Sequence, residues 1–493
     1  MDRAESVGAR TPIASASAAS DSRGDRVARW ILAAALLLGL LRFVRLSTWS
    51  LWIDESLTWT DAHHGIVGGE IQNPLGYRLI EWTVALLGGV ASEFSLRILP
   101  AVAGWACIPV AYCAFRTLFG SRRAAVASLL VAVSSWHLYW SQSARFYTLA
   151  QLTTLLGAWV LLSALTRGSV LKALVGFALA AAGALFHPSS VLVLPALALG
   201  PFFLGRIGRP IAYGSELVAR VLLAVGILGA LLSAGWIFKA WDTYAYQKGH
   251  EGLSAAASSV AHFVKTTGFF VTPLLATGVL IGTWFAFTSR RGADLFAVLL
   301  VLCAIVLAFF AAAFVRVSAQ YVLVVLPWIA LVAALPVGSR GEHGLGRRGE
   351  AAWILVLMLP ALVTSFLYLT VRRGERPPWR EAYQYVASAR TSGDQIFGMA
   401  APVGEFYLAP QNTDLRRPTA LASLDLYHAR MPEHWAAKGR RQWFVVNPED
   451  FAGWDSRDAA DFQRFLREEC RLDAVWPLYV ESRDLSVWVY VRD

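Results

Sequence analysis

Charged residues are scarce in this sequence of 493 residues. They make up 16% of the chain, hydrophobic residues make up 56%, and the mean hydropathy is +0.49. An ordinary soluble domain carries about 25% charged residues, so the composition excludes a soluble globular protein and predicts a polytopic membrane protein. The 20 tryptophans and 15 tyrosines suit the aromatic belts at the two membrane interfaces.

Cysteine is also scarce. The four cysteines, Cys107, Cys113, Cys303 and Cys470, show no metal-ligand spacing, and three of them lie in apolar runs. The sequence therefore predicts no disulfide framework. The C-terminal part also lacks a glycine-rich phosphate loop, an HExxH motif and a G-x-S-x-G motif, so the sequence signatures of three common enzyme classes are absent there.

The net charge of +10 would suggest nucleic-acid binding in a soluble protein, but here it has another cause. Lys and Arg lie mostly in short loops between apolar runs, where they indicate which loops stay in the cytoplasm. Arg23, Arg26 and Arg29 precede the first apolar run, residues 30–46. We therefore expect a cytoplasmic N-terminus, with residues 1–29 as a disordered tail, and no nucleic-acid partner.

The alternation of apolar runs and basic loops predicts about eleven transmembrane helices. The predicted spans are residues 30–46, 98–119, 124–140, 148–165, 170–186, 191–204, 217–238, 268–287, 295–314, 321–337 and 351–371. Residues 74–90 are short for a span and carry Arg78 and Glu81. The parity of crossings predicts that this segment lies along the outer interface as an amphipathic helix. Residues 239–267 are predicted to form a polar outer loop.

An odd number of spans from a cytoplasmic N-terminus places everything after Arg372 outside. The composition changes there, at Pro377-Pro378, to a more polar segment. We predict helices at 379–391 and 456–469, strands at 395–399 and 442–446, and a strand pair at 474–480 and 485–491. The expected organisation is an all-α polytopic membrane domain, residues 30–376 with a first outer loop at 47–97, followed by a small extracytoplasmic α/β domain, residues 377–493.

The predicted topology collects polar side chains on the outer side of the membrane. A charged residue at mid-membrane costs about 2.5–3.5 kcal/mol on the insertion scale, so charges near the bilayer indicate a functional site. The collected residues are Asp54, Glu55, His63, Asn73, Tyr77, Arg145, Tyr147, His187, Arg316, Gln320 and Tyr321. Carboxylates and arginines at one interface suit an anionic lipid-phosphate donor, with an Asp as general base and an Arg holding the phosphate.

Each of these residues also has an ordinary interpretation. Asp54 and Glu55 could be a solvated pair in the first turn of the helix that follows. Arg145 and Arg316 could be arginines that reach the lipid headgroups, and His187 before Pro188 could simply end a helix. His63 could be solvated. Their common placement on one side is what favours a site.

Several short motifs resemble the GT-C glycosyltransferases. They are LWIDE at 51–55, NPLGY at 73–77, SEFSLRILP at 92–100, LFGSRRAA at 118–125, SQSARFY at 141–147, His187, the stretch 316–327, and PWREA at 378–382 with Gly393-Asp394. In pattern the sequence is most similar to the protein-O-mannosyltransferase and aminoarabinose-transferase superfamily, glycosyltransferase families 39 and 83 with their bacterial relatives. The resemblance covers nearly the whole chain, in the same order.

The resemblance implies a cell-envelope enzyme in a bacterial inner membrane that moves a sugar from a polyprenyl-phosphate donor to a protein, lipid or glycan acceptor, usually with inversion. Asp54 matches the family's acidic residue that serves as catalytic base or orients the acceptor, with Glu55 beside it. Arg145 matches a position associated with the donor phosphate, and we expect Tyr147, Arg316 and Gln320 to contribute to the same subsite. His63, Asn73, Tyr77, His187 and Tyr321 are further candidates.

Three departures from the family pattern bear on the chemistry. Gln72-Asn73 stands where many members have His-Pro, and Gln320 stands where relatives often have Arg, with Arg316 one turn earlier as a substitute. Gln142 is neutral where many members have an acid. This favours metal-independent chemistry, so we expect no cofactor and do not favour a divalent metal.

Two other classes of protein fit parts of the sequence. A lipid or solute transporter usually shows internal repeats and polar or broken helices near mid-membrane, whereas here no convincing repeat occurs and the charges gather at one face. A scaffolding protein whose outer domain binds a partner would lack a deep cavity at Asp54.

Overall fold

The computed structural model of the protein describes residues 13–64, 74–207, 215–248, 252–313, 317–338, 345–408, 421–424, 441–454 and 456–493. The chain is mostly helical, with a small sheet near its C-terminus. Four of the described helices are long and apolar enough to cross a membrane, and six spans result if each of two bent helix pairs counts as one. A helical membrane protein is confirmed, and the number eleven stays a prediction.

The helices have the following bounds: α1 Ile13–Gly39, α2 Ile53–His64, α3 Pro74–Leu86, α4 Glu93–Phe119, α5 Ser121–Val133, α6 Ser135–Ser141, α7 Tyr147–Arg167, α8 Val170–Ala182, α9 Leu194–Ile207, α10 Ser215–Lys248, α11 Gly252–Phe270, α12 Pro273–Ser289, α13 Gly292–Ala312, α14 Leu326–Ala334, α15 Arg347–Leu369, α16 Trp379–Ala389, α17 Ala401–Leu408 and α18 Ser456–Glu469. Short 3-10 turns occur at Leu40–Phe43, Gly183–Leu185, Pro188–Val193, Ala319–Val325, Arg373–Glu375 and Asp450–Gly453.

Helix α1 begins earlier than the first predicted span. It starts at Ile13, so the segment 13–29, predicted as part of a disordered tail, is helical. The segment is rich in alanine, which has the highest helix propensity of all residues, and this outweighs its low hydrophobicity. Residues 1–12 lie outside the described part of the chain.

The predicted span 124–140 is a bent pair. Helices α5 and α6 meet at Ser134 with an angle of 61°. Ser134 caps α6 by accepting a hydrogen bond from the backbone N–H of His137. On the α5 side, the buried Arg42 side chain donates to the carbonyls of Val131 and Ala132 at 3.0 and 3.1 Å. These contacts satisfy backbone groups that an unbroken helix would have paired internally.

The described parts of the predicted polar loop at 239–267, residues 239–248 and 252–267, are helical. Helix α10 continues to Lys248, and α11 covers Gly252–Phe270. Polar residues alone do not end a helix, and Ala255-Ala256-Ala257 favours one. The described part of α11 meets α12 at 95°, where Thr272 caps α12 and Pro273 occupies its first turn.

The predicted interfacial segment 74–90 contains α3, which contacts α2 and α4. The three shorter apolar helices α8, α9 and α14 each adjoin a 3-10 turn. His187 lies between the turns Gly183–Leu185 and Pro188–Val193, and Tyr321 lies in the turn Ala319–Val325. All three turns contact α7. The fold therefore brings together, at one end of the bundle, segments far apart in sequence.

The C-terminal domain is built on a five-stranded mixed sheet in the order β2-β1-β3-β7-β4. Strand β1 is parallel to β2 and β3, and β7 is antiparallel to β3 and β4. The strands are β1 Gln395–Gly398, β2 Leu421–Ser423, β3 Gln442–Val446, β4 Arg471–Trp476, β5 Tyr479–Val480, β6 Arg483–Asp484 and β7 Val487–Arg492. A C-terminal region of strands and helices is confirmed, and its position outside the membrane stays a prediction. Strand β2 is not among the predicted strands, β4 begins at Arg471 instead of residue 474, and residues 479–480 pair with β6 in a separate hairpin instead of extending β4.

The C-terminal domain packs directly on the segment that precedes α2. The hydroxyl group of Tyr407 accepts a hydrogen bond from the backbone N–H of Leu51 at 2.7 Å and donates one to Glu93 at 2.8 Å. Arg380 donates to the same Glu93 carboxylate at 2.9 Å. The rings of Phe406 and Trp59 meet edge to face with centroids 5.2 Å apart. The domain therefore contacts the region of the predicted acidic pair.

Candidate active site

The two adjacent carboxylates Asp54 and Glu55 lie in the first turn of α2 but face different surroundings. Consecutive helical residues differ in direction by about 100°. Glu55 is 0% exposed, whereas Asp54 is half-buried. Of the predicted acid pair, only Asp54 therefore presents surface.

Glu55 is held by two arginines and two backbone N–H groups. Arg97 donates to both carboxylate oxygens, each at 2.7 Å, in a two-point pairing. The backbone N–H groups of Ala144 and Trp52 donate at 2.7 and 3.3 Å, and Nε of Arg376 lies 3.4 Å from Oε2. Burial alone would raise the pKa of Glu55, but the charges of Arg97 and Arg376 outweigh it and lower that pKa. Glu55 is therefore ionised and fully engaged.

This geometry differs from the expected catalytic role for Glu55. Its carboxylate connects α2, α4 and the turn before α7, and it has no exposed surface with which to meet a substrate. The sequence could not separate the two acids, because the burial of each depends on which partners the tertiary structure supplies.

Arg145 lies in the turn between α6 and α7 and contacts the start of α2. Its Nη1 donates to the backbone carbonyl of Asp54 at 3.0 Å and to the hydroxyl of Thr58 at 2.8 Å. Burial would lower the pKa of Arg145, but Tyr147 and the negative charge of Asp54 outweigh it and raise that pKa. The guanidinium is thus permanently charged. The structure brings Asp54 and Arg145 together, as the sequence predicted.

An aromatic cluster surrounds Arg145. Its guanidinium carbon lies 4.9 Å from the ring centroid of Phe146 and 5.9 Å from that of Tyr147. The ring of Tyr147 is 4.9 Å from that of His187, which stacks on Tyr321 at 5.0 Å and 17°. Three of the predicted candidates thus form one wall beside the arginine.

Helix α3 closes the other side of this cluster. Tyr77 is 2% exposed, and its ring meets Phe146 edge to face at 5.2 Å. Gly76 allows this approach, because a Cβ atom at that position would lie 2.8 Å from the Cβ of Phe146. The glycine of the NPLGY motif therefore has a packing role next to Arg145.

The hydrogen bonds of His187 define which ring nitrogen carries its proton. His187 caps the turn Pro188–Val193, where its Nδ1 accepts from the backbone N–H of Ser189 at 3.1 Å. Burial, and then the nearby charge of Arg145, lower the pKa of His187 to about 3. The ring is therefore neutral near pH 7, with its proton on Nε2. The helix-end interpretation therefore applies to His187, and its role in a site stays a prediction.

The remaining candidates contribute less to the described geometry. Asn73 and Arg316 lie outside the described residues, and His63 is in the last turn of α2 with its side chain outside them. Gln320 is half-buried in the same turn as Tyr321. The amide of Gln142 donates to the carbonyls of Leu41, Arg42 and Val44, so this residue secures the end of the first apolar run.

Sequence reasoning missed two arginines at the centre of this region. Arg97 belongs to the quoted SEFSLRILP motif, and Arg376 directly precedes Pro377-Pro378, but neither was assigned a role. They are 1% and 3% exposed. The sequence signal available for Arg97 is its position next to an apolar run. An arginine that becomes buried there needs a partner, because arginine is almost never fully buried unless it is paired.

In the part of the chain that the structure describes, no group of three or more His, Cys, Asp or Glu side chains is arranged to hold a metal.

A family model described as dolichyl-phosphate-mannose-protein mannosyltransferase matches residues 72–236. This segment contains Arg145, Tyr147 and His187. No curated protein matches the sequence.

Solved structures of two proteins have a similar fold. ArnT from Cupriavidus metallidurans bound to undecaprenyl phosphate has a TM-score of 0.55 and 15% identity, covering 94% of this chain and 97% of that one. The Archaeoglobus fulgidus oligosaccharyltransferase in the apo form has a TM-score of 0.52 and 12% identity, covering 91% and 73%. In the complex of AglB from Archaeoglobus fulgidus with an inhibitory peptide and a dolichol-phosphate, the TM-score is 0.49 at 13% identity. That match covers 80% of this chain but only 61% of AglB, less than two thirds of its length.

Proposed function

We propose that this chain is a membrane glycosyltransferase of the GT-C type, and that it transfers a sugar from a polyprenyl-phosphate donor at the site formed by Asp54 and Arg145. The observation that carries the proposal is the 3.0 Å hydrogen bond from Nη1 of Arg145 to the backbone of the half-buried Asp54. This contact supports a carboxylate base and a phosphate-binding cation acting in one site. The undecaprenyl phosphate in the ArnT structure supports the donor class.

In the proposed reaction, the Asp54 carboxylate accepts the proton of an acceptor hydroxyl or amine as that atom attacks the anomeric carbon of the sugar. The bond from the new nucleophile to the anomeric carbon forms as the bond to the phosphate oxygen breaks. The polyprenyl phosphate leaves with the electron pair. Arg145 stabilises the charge that develops on the phosphate, and does so effectively because it is preorganised and largely removed from water.

His187 and the tyrosines complete the proposed donor subsite. The neutral His187 ring supplies an N–H donor at Nε2 for a phosphate oxygen without adding a second positive charge. Tyr147 and Tyr321, which pack on this ring, keep it oriented. Arg316 and Gln320 remain candidates for the same subsite. Glu55 acts in this proposal as a positioning residue for its neighbour Asp54.

We also propose that the site and the C-terminal domain lie on the extracytoplasmic side of a bacterial inner membrane. The support is the pattern of basic loops on the opposite side. With the native cysteines replaced, Glu481→Cys in the exposed hairpin is expected to react with a membrane-impermeant maleimide in intact cells. Labelling that requires permeabilised cells would reverse the proposed orientation.

The test of the activity is to incubate the purified protein with a panel of polyprenyl-phosphate sugars and candidate acceptors, with and without a chelator, and to identify the released lipid and the product. We expect Asp54→Asn to abolish transfer in a protein that still folds. The matched control is Glu81→Gln, a carboxylate on α3 that has no part in the proposed chemistry. Undiminished turnover by Asp54→Asn would remove Asp54 from the mechanism, and no turnover by the wild type with any donor would end the proposal.

A further inference from the structure

Arg376 occupies the junction between the membrane domain and the C-terminal domain. It follows α15 and the turn Arg373–Glu375 and precedes Pro377-Pro378 and α16. A residue in such a connection is normally exposed. Arg376 is 3% exposed, so the structure has placed a charged side chain from the domain junction in the interior.

The Arg376 guanidinium contacts two separate segments, residues 52–55 and residues 139–143. Its Nε lies 3.4 Å from the Glu55 carboxylate, and its Nη2 donates to the hydroxyl of Ser143 at 2.6 Å. Its guanidinium carbon lies 4.1 Å from the ring centroid of Tyr139 and 5.4 Å from that of Trp52. The planar guanidinium group has five N–H donors, so it can make two such polar contacts at once while stacking on a ring.

Besides the nearby backbone carbonyl of Gly374, Arg376 has two polar partners, and both lie next to the residues that we assign to the reaction. Glu55 adjoins Asp54 in the chain, and Ser143 is two residues before Arg145. The same Glu55 carboxylate accepts from the backbone N–H of Ala144, so the two segments are also joined to each other. Movement of Arg376 would therefore displace the base and the phosphate-binding arginine together.

We propose that Arg376 is a positioning residue that connects the C-terminal domain to the two segments carrying Asp54 and Arg145. This inference rests on the proposed function of those two residues. The junction that leads into the C-terminal domain is thus required for a correctly assembled site. The contact that transmits this requirement is the Glu55–Arg376–Ser143 connection.

Arg380, in α16 of the C-terminal domain, offers a matched control. It donates to Glu93 at 2.9 Å and to the backbone carbonyl of Ser47 at 2.8 Å, so it also fastens the C-terminal domain to the membrane domain. Its described contacts do not include Glu55 or Ser143. Loss of Arg380 weakens the domain contact but leaves the proposed connection in place.

The experiment measures kcat and KM of the full-length protein in detergent for Arg376→Gln, Arg376→Lys and Arg380→Gln, with melting temperature and monodispersity as folding checks. We expect Arg376→Gln to lower kcat by roughly 10- to 100-fold, because small displacements of reacting groups have effects of that size. Arg376→Lys should recover part of the loss, since it keeps the charge beside Glu55. Arg380→Gln should stay within about twofold of the wild type, as expected for a partly exposed ion pair.

A second variant keeps the test decisive if Arg376→Gln does not fold. Ser143→Ala removes the hydrogen bond from Arg376 together with the one that the Ser143 hydroxyl donates to the backbone carbonyl of Tyr139, within the same segment, and should lower kcat about threefold to tenfold at an unchanged melting temperature. In an Arg376→Lys background the same change should have a smaller effect, because the two residues act through one contact. Full additivity, or an equal loss in Arg380→Gln, would overturn the inference.

The failure of this inference is distinguishable from failure of the proposed function. An active wild type whose kcat survives Arg376→Gln and Ser143→Ala would overturn the role of Arg376 alone. A wild type inactive with every donor would overturn the proposed function, and this inference with it.

Discussion

Two buried polar centres in this molecule compensate the charge of a buried arginine in different ways. At the candidate active site, Arg97 and Arg376 share the Glu55 carboxylate. In the helical body, Arg42 is 0% exposed, and its described hydrogen bonds go to the backbone carbonyls of Gly39, Val131 and Ala132 and to His137. The first centre pairs opposite charges, and the second surrounds one charge with dipoles.

The two centres have different consequences for the fold. The carboxylate pairing joins α2, α4 and the domain junction, so it fixes the relative positions of functional groups. The Arg42 centre secures a helix break, because it supplies donors to carbonyls at the end of α5. Removing a partner from a charge pair strands a buried charge, whereas removing Arg42 strands only neutral acceptors. The two centres should therefore differ in their sensitivity to mutation.

The largest expected effect on stability is that of Arg97→Met. This change removes both direct hydrogen bonds from Arg97 to the buried Glu55 carboxylate, and breaking a buried pair costs about 3–5 kcal/mol. The measurement is unfolding of the purified protein in detergent, followed by circular dichroism. Arg220→Met, in the exposed i,i+4 pair with Glu216, is the control and should change the free energy of unfolding by less than about 0.5 kcal/mol. Similar losses in both variants would show that the buried pairing has no special weight.

Arg42→Met is expected to cost less, about 1–3 kcal/mol, because it leaves buried carbonyls without donors but no unpaired charge. The same unfolding measurement applies. Its control is Arg45→Met, which removes an exposed hydrogen bond to the carbonyl of Leu369. A loss for Arg42→Met that equals or exceeds that of Arg97→Met would contradict the distinction drawn between the two centres.

The loss of stability at low pH should identify the centre at the candidate active site independently of these arginine variants. The pKa of Glu55 is lowered below its usual 4.5 in the folded protein. Its contribution to stability is therefore fully present above about pH 4.5 and is lost as the pH falls through the folded pKa. The difference in melting temperature between the wild type and Glu55→Gln should be constant from pH 5 to 8 and shrink on further acidification. A difference that grows on acidification would contradict the charge pairing.

The sequence was informative about which residues meet and uninformative about what holds them. The parity of spans and the positions of basic loops correctly grouped Asp54, Arg145, His187 and Tyr321, because these depend on the order of helices along the chain. The role of Arg376 depends on a tertiary contact with Ser143, 233 residues earlier, and no local pattern encodes it.

The errors in helix boundaries have a similar origin. The break at Ser134 depends on Arg42, a residue in another segment, and the hydropathy pattern shows no interruption at that point. Most of α11 lies within residues 239–267, which the sequence predicts as a loop because they are polar, although helix formation depends on backbone pairing and packing as well as on hydropathy. Strand β1 was easier to predict, since it follows the Gly393-Asp394 turn, whereas β2 has no such signal.

The smallest expected effect concerns the histidines of the two centres. In the body, Nδ1 of His137 accepts from Arg42, and its Nε2 bonds to Gln151 at 2.6 Å. At the site, Nδ1 of His187 accepts from Ser189, and its Nε2 proton is the one that we propose for the donor phosphate. The same tautomer thus serves the fold in one place and a ligand in the other.

This comparison predicts that His187→Ala raises KM for the donor about twofold to tenfold, as expected for one lost hydrogen bond, while His187→Gln stays close to the wild type because its amide retains a donor. Since the pKa of His187 is lowered to about 3, it takes up a proton only on strong acidification. The pH–rate profiles of the wild type and His187→Gln should therefore coincide between pH 5 and 8. An inflection near pH 6.5 that disappears in His187→Gln would instead make His187 a titrating acid–base group, and would contradict the lowering of its pKa by burial and by the charge of Arg145.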